Sequence, residues 1–309
     1  MSVKLIIGSR GSPLALWQAN WVKSQLEEAH GDLIEIEIKV IKTSGDKIQD
    51  VPLAKIGGKG LFVKEIEEAL VHQKIDIAVH SMKDVPIKLP LNLVIGVITK
   101  RETPFDAFIS RTGTKLADLP ENARIGTGSL RRSAQLLKYR PDLEIVPLRG
   151  NIDTRLKKLE TENMDGIILA GAGLKRMGWE EKITELIDPE IILPAMGQGA
   201  VGIEARRYDP DLLGLLLPLD DDETHLALEA ERAMVAKLEG GCQIPIGAYA
   251  TLDGRTLKLR GLVASLDGKT VYKAEKEGSC DQARSIGFDL AAELLEMGAG
   301  KILKDLLHP

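Results

Sequence analysis

Ile192-Leu193-Pro194-Ala195-Met196-Gly197-Gln198-Gly199 is the stretch that decides the fold, because the apolar run of residues 200–205 follows it at once. Its Pro and Gly residues interrupt regular structure, and the run behind it reads as a strand. A similar interruption, Lys100-Arg101-Glu102-Thr103-Pro104, comes earlier. One α/β pattern precedes the first break and a second lies between the two. A chain that builds one lobe, builds another and returns to the first must cross twice. Two α/β lobes joined by two crossings make a hinged cleft.

The first lobe reads βαβαβ. Residues 3–8 form an apolar strand, and Ser12-Pro13 opens a helix with Ser as N-cap and Pro at the first helical position. Its apolar stripe includes Leu16, Ala19, Val22 and Leu26 and runs to about His30-Gly31. Ile34, Ile36, Ile38 and Val40 alternate with Glu35, Glu37 and Lys39, a half-buried strand. Residues 43–60 read as a long loop, 61–72 as a helix, and 75–79 and 93–98 as strands. Such a pattern implies a mostly parallel sheet covered by helices.

The second lobe repeats it, with strands at 107–110, 124–126, 143–148 and 166–170 and helices at 130–139 and 154–161. From about residue 220 the style changes. A helix at 222–238 leads to a glycine-rich turn. Strands follow at 248–252, 256–263 and 270–276, with Asp253-Gly254 and Asp267-Gly268 as turn dipeptides, then helices at 283–297 and 302–307. The expected fold class is α/β: two periplasmic-binding-protein-like lobes plus a small C-terminal α+β domain. The expected domains are 1–99 with 200–217, then 105–193, then 222–309.

Bulk composition narrows the function. The 309 residues carry a formal net charge of −5, so the whole chain is not built to coat nucleic acid or a membrane. No segment approaches the ~18 consecutive apolar residues of a membrane span. The N-terminal apolar run is too short for a secretory signal, and the two cysteines have no paired framework. The expected location is the cytoplasm.

Cys242 lies in Glu239-Gly240-Gly241-Cys242-Gln243-Ile244-Pro245-Ile246-Gly247. On residue type alone it is either a covalent handle or a small apolar filler. Its place just past a helix C-terminus, where the dipole is negative, favours an anchor over a recycling nucleophile. Cys280 has no comparable setting and reads as structural.

Arginine is concentrated in the second lobe. Residues 124–182 hold 12 Lys/Arg against 8 Asp/Glu, a local +4 within a chain of net −5. Arg131 and Arg132 stand in the first turn of a helix, behind Gly126-Thr127-Gly128-Ser129. Arg149-Gly150-Asn151 ends a strand and opens a helix that carries Arg155. Cations at helix N-termini oppose the dipole, and ligands of α/β folds bind at strand C-terminal ends. The set therefore points to a polyanionic ligand, with a solvated basic face as the plain alternative for any single arginine. Neighbours on a helix point about 100° apart, so Arg131 and Arg132 are not expected to grip one small anion together. In the first lobe Asp84, beside Lys83, ends an apolar strand and is a candidate to stabilise a developing cation or move protons. His80 reads as a packed histidine, and no spacing resembles a zinc site. Lys55-Ile56-Gly57-Gly58-Lys59-Gly60 reads as a mobile lid or a flexible connector, and it lacks the Walker order.

Taken together, these segments resemble the porphobilinogen deaminase (hydroxymethylbilane synthase) family over essentially the whole length. The specific stretches are 10–19, 55–63, 79–86, Ser129-Leu130-Arg131-Arg132, Leu148-Arg149-Gly150-Asn151, 193–202 and 239–247. The resemblance implies condensation of four porphobilinogen molecules with loss of ammonia and release of hydroxymethylbilane. It implies a dipyrromethane cofactor on a thioether at Cys242 and a catalytic role for Asp84. It implies carboxylate binding by Arg10, Ser12, Lys83, Thr127, Ser129, Arg131, Arg132, Arg149, Arg155, Arg176 and Gln198, with Lys55, Lys59 and Phe62 in an active-site loop. No metal, nucleic acid or membrane is expected. A monomer is, with product passing to uroporphyrinogen-III synthase. Gly128 departs from the pattern, since relatives often place a serine there. The rivals are a solute-binding module for a small anion and a thiol-dependent transferase of another kind.

Overall fold

The computed structural model describes residues 2–47, 63–239 and 244–307. Along them the strands are β1 (Val3–Ser9), β2 (Ile34–Val40), β3 (Ile77–Ser81), β4 (Leu93–Ile98), β5 (Asp106–Ser110), β6 (Arg124–Gly126), β7 (Glu144–Val146), β8 (Gly166–Ala170), β9 (Glu185–Leu186), β10 (Val201–Arg206), β11 (Ile246–Asp253), β12 (Thr256–Ala264) and β13 (Val271–Ser279). The helices are α1 (Pro13–His30), α2 (Ser44–Lys47), α3 (Lys64–Val71), α4 (Leu130–Tyr139), α5 (Ile152–Thr161), α6 (Gly171–Arg176), α7 (Pro210–Leu216), α8 (Asp222–Lys237), α9 (Ala283–Leu294) and α10 (Gly300–Leu307). Two compact units result, one from Met1–Arg101 with Ala200–His225, the other from Glu102–Gly199 with Leu226–Pro309.

The first unit holds a five-stranded sheet of order β2-β1-β3-β10-β4. β1 runs parallel to β2 and β3, while β10 is antiparallel to both β3 and β4. The returning strand therefore fills an interior place, and β4 reaches the sheet only through it. Ser12 caps α1 by accepting from the Ala15 N–H. α1 then buries Ala19, Val22 and Leu26 against Leu5, Ile7, Ile77, Val79, Val201 and Ile203, while Leu16 stays partly exposed. In β2, Ile34 and Ile36 are buried while Glu35 and Glu37 face solvent, as the alternation requires.

The second unit repeats that topology as β7-β6-β8-β5-β9. β6 is parallel to β7 and β8, and β5 is antiparallel to β8 and β9. Each sheet is thus mostly parallel, and its one interior antiparallel strand is the first strand after a break. β7 stops at Val146, short of the expected 148, because Pro147 has no N–H to give a ladder. α6 and β9 were not anticipated, since Gly171-Ala172-Gly173 reads as a breaker.

Within the same unit β11, β12 and β13 form an antiparallel sheet. α9 passes after Leu294 into a π-helical turn, Leu295–Ala299, where Gly298 at φ 115 kinks the chain before α10, one residue beyond the expected limit of 297.

The segment quoted at the outset is held from several sides. Leu193 packs with Ala134 of α4 and with Leu262 and Ala264 of β12. The Gln135 side chain receives the Leu193 N–H at 2.8 Å and donates to its carbonyl at 3.2 Å. Pro194 accepts from the Ala248 N–H at 3.0 Å. Glu231 of α8, fully buried, takes the Gly197 N–H at 2.7 Å on one oxygen and the Ala250 N–H at 2.8 Å on the other. Gly199 sits at φ 94, and a Cβ on it would run into the Glu102 carbonyl oxygen. Gly199→Ala should therefore lower stability by about 2–4 kcal/mol, the sum of backbone strain and overpacking. Chemical denaturation checks it, and an unchanged midpoint would contradict this reading of the packing.

Candidate functional site

In both sheets the central parallel strands set a switch point. The chain leaves β1 toward β2 on one side and returns to β3 on the other. It leaves β6 toward β7 and returns to β8 in the same manner. Loops at the C-terminal ends of such strands diverge and open a crevice, the usual ligand site of an α/β sheet. Several of the predicted residues fall at those strand ends. In the first unit Arg10 and Ser12 follow β1, and Lys83 and Asp84 follow β3. In the second, Thr127 and Ser129 follow β6, Arg149 follows β7, and Arg176 ends the helix that follows β8.

The first unit presents Asp84 at the end of a single 3-10 turn, Met82–Asp84. The turn is pinned by a Met82 N–H bond to the Ala200 carbonyl at 3.0 Å. Met82 is buried, Lys83 half-buried and Asp84 exposed. Ser81 ahead of it receives a 2.9 Å bond from the Gln18 amide of α1. The loops after β1 and β3 are thereby tied together. Ser12 uses its oxygen to accept in the α1 cap, and a hydroxyl that accepts retains an O–H to donate.

His80 is buried, as expected, but not merely packed. Its Nε2 lies 2.9 Å from Glu204 Oε2 on β10, and Glu204 is itself buried. Sequence reasoning missed Glu204. The signal was an acid inside the apolar run 200–205, which needs a buried partner. Glu67 of α3 stands near both, and its carboxyl is pushed up to about 7, first by burial, then by the Glu204 charge, against a lowering pull from His80.

In the second unit three predicted side chains converge on one carboxylate the sequence reading did not single out. Asp106, the first residue of β5, is fully buried. Its Oδ2 accepts from Arg131 Nη1 at 2.7 Å. Its Oδ1 accepts from Arg132 Nε at 2.9 Å and Nη2 at 2.6 Å, and from Gln198 Nε2 at 2.9 Å. Burial alone would push this carboxyl up. The two guanidinium charges and the hydrogen bonds outweigh it and hold Asp106 far below the usual carboxylate range. Arg132 is drawn below its ordinary value by burial, with Asp106 opposing.

The expectation that Arg131 and Arg132 do not share one small anion is therefore corrected. Their Cα–Cβ vectors diverge, but each side chain has four torsions and folds back to the same acceptor. Arg131 Nη1 also donates to the Leu193 carbonyl at 2.7 Å, and Arg132 Nη1 to the Ile168 carbonyl at 3.0 Å. The signal that pointed to Asp106 was an acid opening an apolar strand, with an arginine pair elsewhere in the same lobe.

Ser129 is the N-cap of α4, its Oγ 3.5 Å from the Arg132 N–H. The Ser129 N–H in turn donates to Thr127 Oγ1 at 3.2 Å. A Cβ on Gly128 would lie 2.6 Å from the Leu148 carbonyl oxygen. The neighbouring strand end leaves no room there, so any side chain at this position requires a backbone shift. Arg149 is half-buried, and Arg155 Nε donates to the Gly150 carbonyl at 2.8 Å. Arg176, largely buried and held below its ordinary value for that reason, donates to the Gly199 carbonyl at 2.6 Å.

Lys55, Lys59, Phe62 and Cys242 lie outside the described residues. Cys280 is buried and free. Among the described residues no group of three or more His, Cys, Asp or Glu is placed to hold a metal ion, and no helix is long and apolar enough to cross a membrane.

Two family models match. One, porphobilinogen deaminase, dipyrromethane cofactor binding domain, covers residues 5–213, and the other, porphobilinogen deaminase, C-terminal domain, covers residues 225–296. A porphobilinogen deaminase of Carboxydothermus hydrogenoformans is 55% identical over 306 residues, 99% of this chain and 98% of that one. A porphobilinogen deaminase of Syntrophobacter fumaroxidans is 55% identical over 300 residues, 97% of each. Among solved structures, a probable amino-acid ABC transporter extracellular-binding protein of Bacillus subtilis is 12% identical, with a TM-score of 0.42 over 70% of this chain and 89% of that one.

The Glu67 carboxyl gives a pH prediction. Its folded value lies above its ordinary 4.5, so between about 4.5 and 7 the native state binds more protons than the unfolded one. Its contribution is most favourable below that window and is lost as pH rises through it. Glu67→Gln should flatten the stability curve across the window and raise stability near pH 8 by about 1 kcal/mol, a value discounted for partial exposure. A pH–stability curve superimposing on that of the unmodified protein would contradict this.

Proposed function

Because the chain belongs to the porphobilinogen deaminase family, we propose that it is the transferase of tetrapyrrole biosynthesis that joins four porphobilinogen molecules head to tail and releases hydroxymethylbilane. The observation that carries the reading is the placement of an exposed Asp84 beside Lys83 at one switch point, and of a cationic, hydroxyl-rich set at the other.

The donor set fits a dipyrromethane, which bears several carboxylates. Guanidinium forks, hydroxyls and helix N-terminal N–H groups all favour such anions. Cys242 would hold it through a thioether. When bound, it would supply the pyrrole carbon to which the first porphobilinogen is joined. Arg10, Ser12, Lys83, Thr127, Ser129, Arg131, Arg149, Arg155 and Arg176 form the carboxylate-binding set, and Arg132 and Gln198 brace it from within the protein. Charge-assisted hydrogen bonds contribute about 1.5–3 kcal/mol each, so several acting together hold a polycarboxylate chain. Lys55, Lys59 and Phe62 belong to the loop beside it.

Asp84 is the acid–base group. As the protonated amine of porphobilinogen leaves as ammonia, the remaining methylene becomes cationic, and the Asp84 carboxylate stabilises that charge. After the carbon–carbon bond forms, the same carboxylate takes up the proton lost from the pyrrole. The domain limits 1–99 with 200–217, 105–193 and 222–309 separate the Asp84 lobe, the arginine-rich lobe and the cysteine-bearing domain. The enzyme acts as a cytoplasmic monomer and passes its product to uroporphyrinogen-III synthase.

Asp84→Asn tests the assignment. Melting should stay within about 0.5 kcal/mol of the unmodified protein, because the side chain is exposed. Porphobilinogen turnover should fall by on the order of 10²–10⁴. Turnover within a factor of three would remove Asp84 from the chemistry.

A further inference from the structure

We propose that Asp106 is a positioning residue for carboxylate recognition, acting on the ligand only through Arg131. The inference rests on the functional reading above and extends it to a residue outside the set the sequence points to.

The geometry separates the two arginines. Arg132 spends all three of its nitrogens inside the protein, Nε and Nη2 on Asp106 and Nη1 on the Ile168 carbonyl. It is a strut. Arg131 is held by Nη1 alone, shared between Asp106 and the Leu193 carbonyl. Among the described residues no acceptor meets its Nε or Nη2, so one edge of the fork is fixed and the other remains for a ligand carboxylate. Gln198 braces the same carboxylate from the other side, its Nε2 bonded to Asp106 and, at 2.6 Å, to the Pro104 carbonyl.

The charges agree with this division. One carboxylate between two guanidinium groups leaves the cluster at +1. Without Asp106 two buried like charges would repel and swing apart. A buried ion network is a poor way to gain stability, since well-packed apolar groups do as well. Its use is to fix geometry, and the elements it fixes are β5, α4, β8 and the 192–199 segment.

Asp106→Glu keeps the charge and advances the carboxylate by one methylene. With the full-length holoenzyme, KM for porphobilinogen should rise by on the order of 10²-fold, the penalty of an ångström-scale misplacement. kcat per cofactor-loaded molecule should change less than about threefold if ground-state and transition-state binding are lost together. The fraction carrying dipyrromethane, read by intact mass, should fall. In an Arg131→Gln background the KM effect of Asp106→Glu should shrink to near nothing, because the residue it works through is gone. A purely structural carboxylate would lower the melting point and leave KM of the folded fraction unchanged, and that result overturns the proposal. So does an additive effect in the Arg131→Gln background. Should Asp106→Glu fail to fold, Asp106→Asn combined with Arg132→Gln replaces the ion pair by neutral amides, and the same rise in KM is required. An unmodified protein that neither carries dipyrromethane nor turns over porphobilinogen defeats the functional reading instead. A competent one beside an Asp106→Glu form of unchanged KM defeats the positioning role alone.

Discussion

One buried carboxylate organises the arginine-rich unit. Asp106 accepts hydrogen bonds from Arg131, Arg132 and Gln198, and those side chains reach on to the Leu193, Ile168 and Pro104 carbonyls. A strand, a helix N-terminus, a second strand and an irregular segment are thereby referred to a single point. The constraint is electrostatic and costly. Two guanidinium groups cannot be dehydrated side by side without an anion, and an anion cannot be buried without them. Each member therefore requires the others. Glu231 does comparable work by fastening Gly197 and Ala250, which joins the same irregular segment to the cysteine-bearing part of the chain.

The two five-stranded sheets share one topology, and that topology explains where the functional side chains stand. Each has a switch point between parallel neighbours, and each has one interior antiparallel strand delivered by the chain just after a break. The strands bring rigidity, and the loops at their C-terminal ends bring the chemistry. In the first unit that loop carries an acid and a lysine. In the second it carries hydroxyls and guanidinium groups. Under the proposed function the acid serves the chemistry and the cationic set serves the carboxylates of the ligand.

Much of this was legible because local physics decided it. Ser12-Pro13 announced the start of α1, and alternation from Ile34 announced β2. The strand 166–170 and the helix 130–139 appear with the expected limits. What stayed hidden depended on partners distant in sequence. Asp106 lies 25 positions from Arg131, and His80 lies 124 from Glu204. The angular argument that kept Arg131 and Arg132 apart treated side chains as fixed vectors and ignored the reach of four torsions. Gly128 looked like a lost hydroxyl until the Leu148 carbonyl was seen to occupy the space. Pro147 and Gly298 were visible in the sequence, and their effect on the ends of β7 and α9 follows from a missing N–H and a positive φ.

The central claim is that this chain carries a covalently anchored, carboxylate-rich pyrrole cofactor read by the residues described. Intact-mass measurement of the freshly purified protein, followed by peptide mapping, tests it most directly. The account predicts an excess equal to two linked pyrrole units, on the peptide containing Cys242. An unmodified mass that stays unmodified after incubation with porphobilinogen would contradict it.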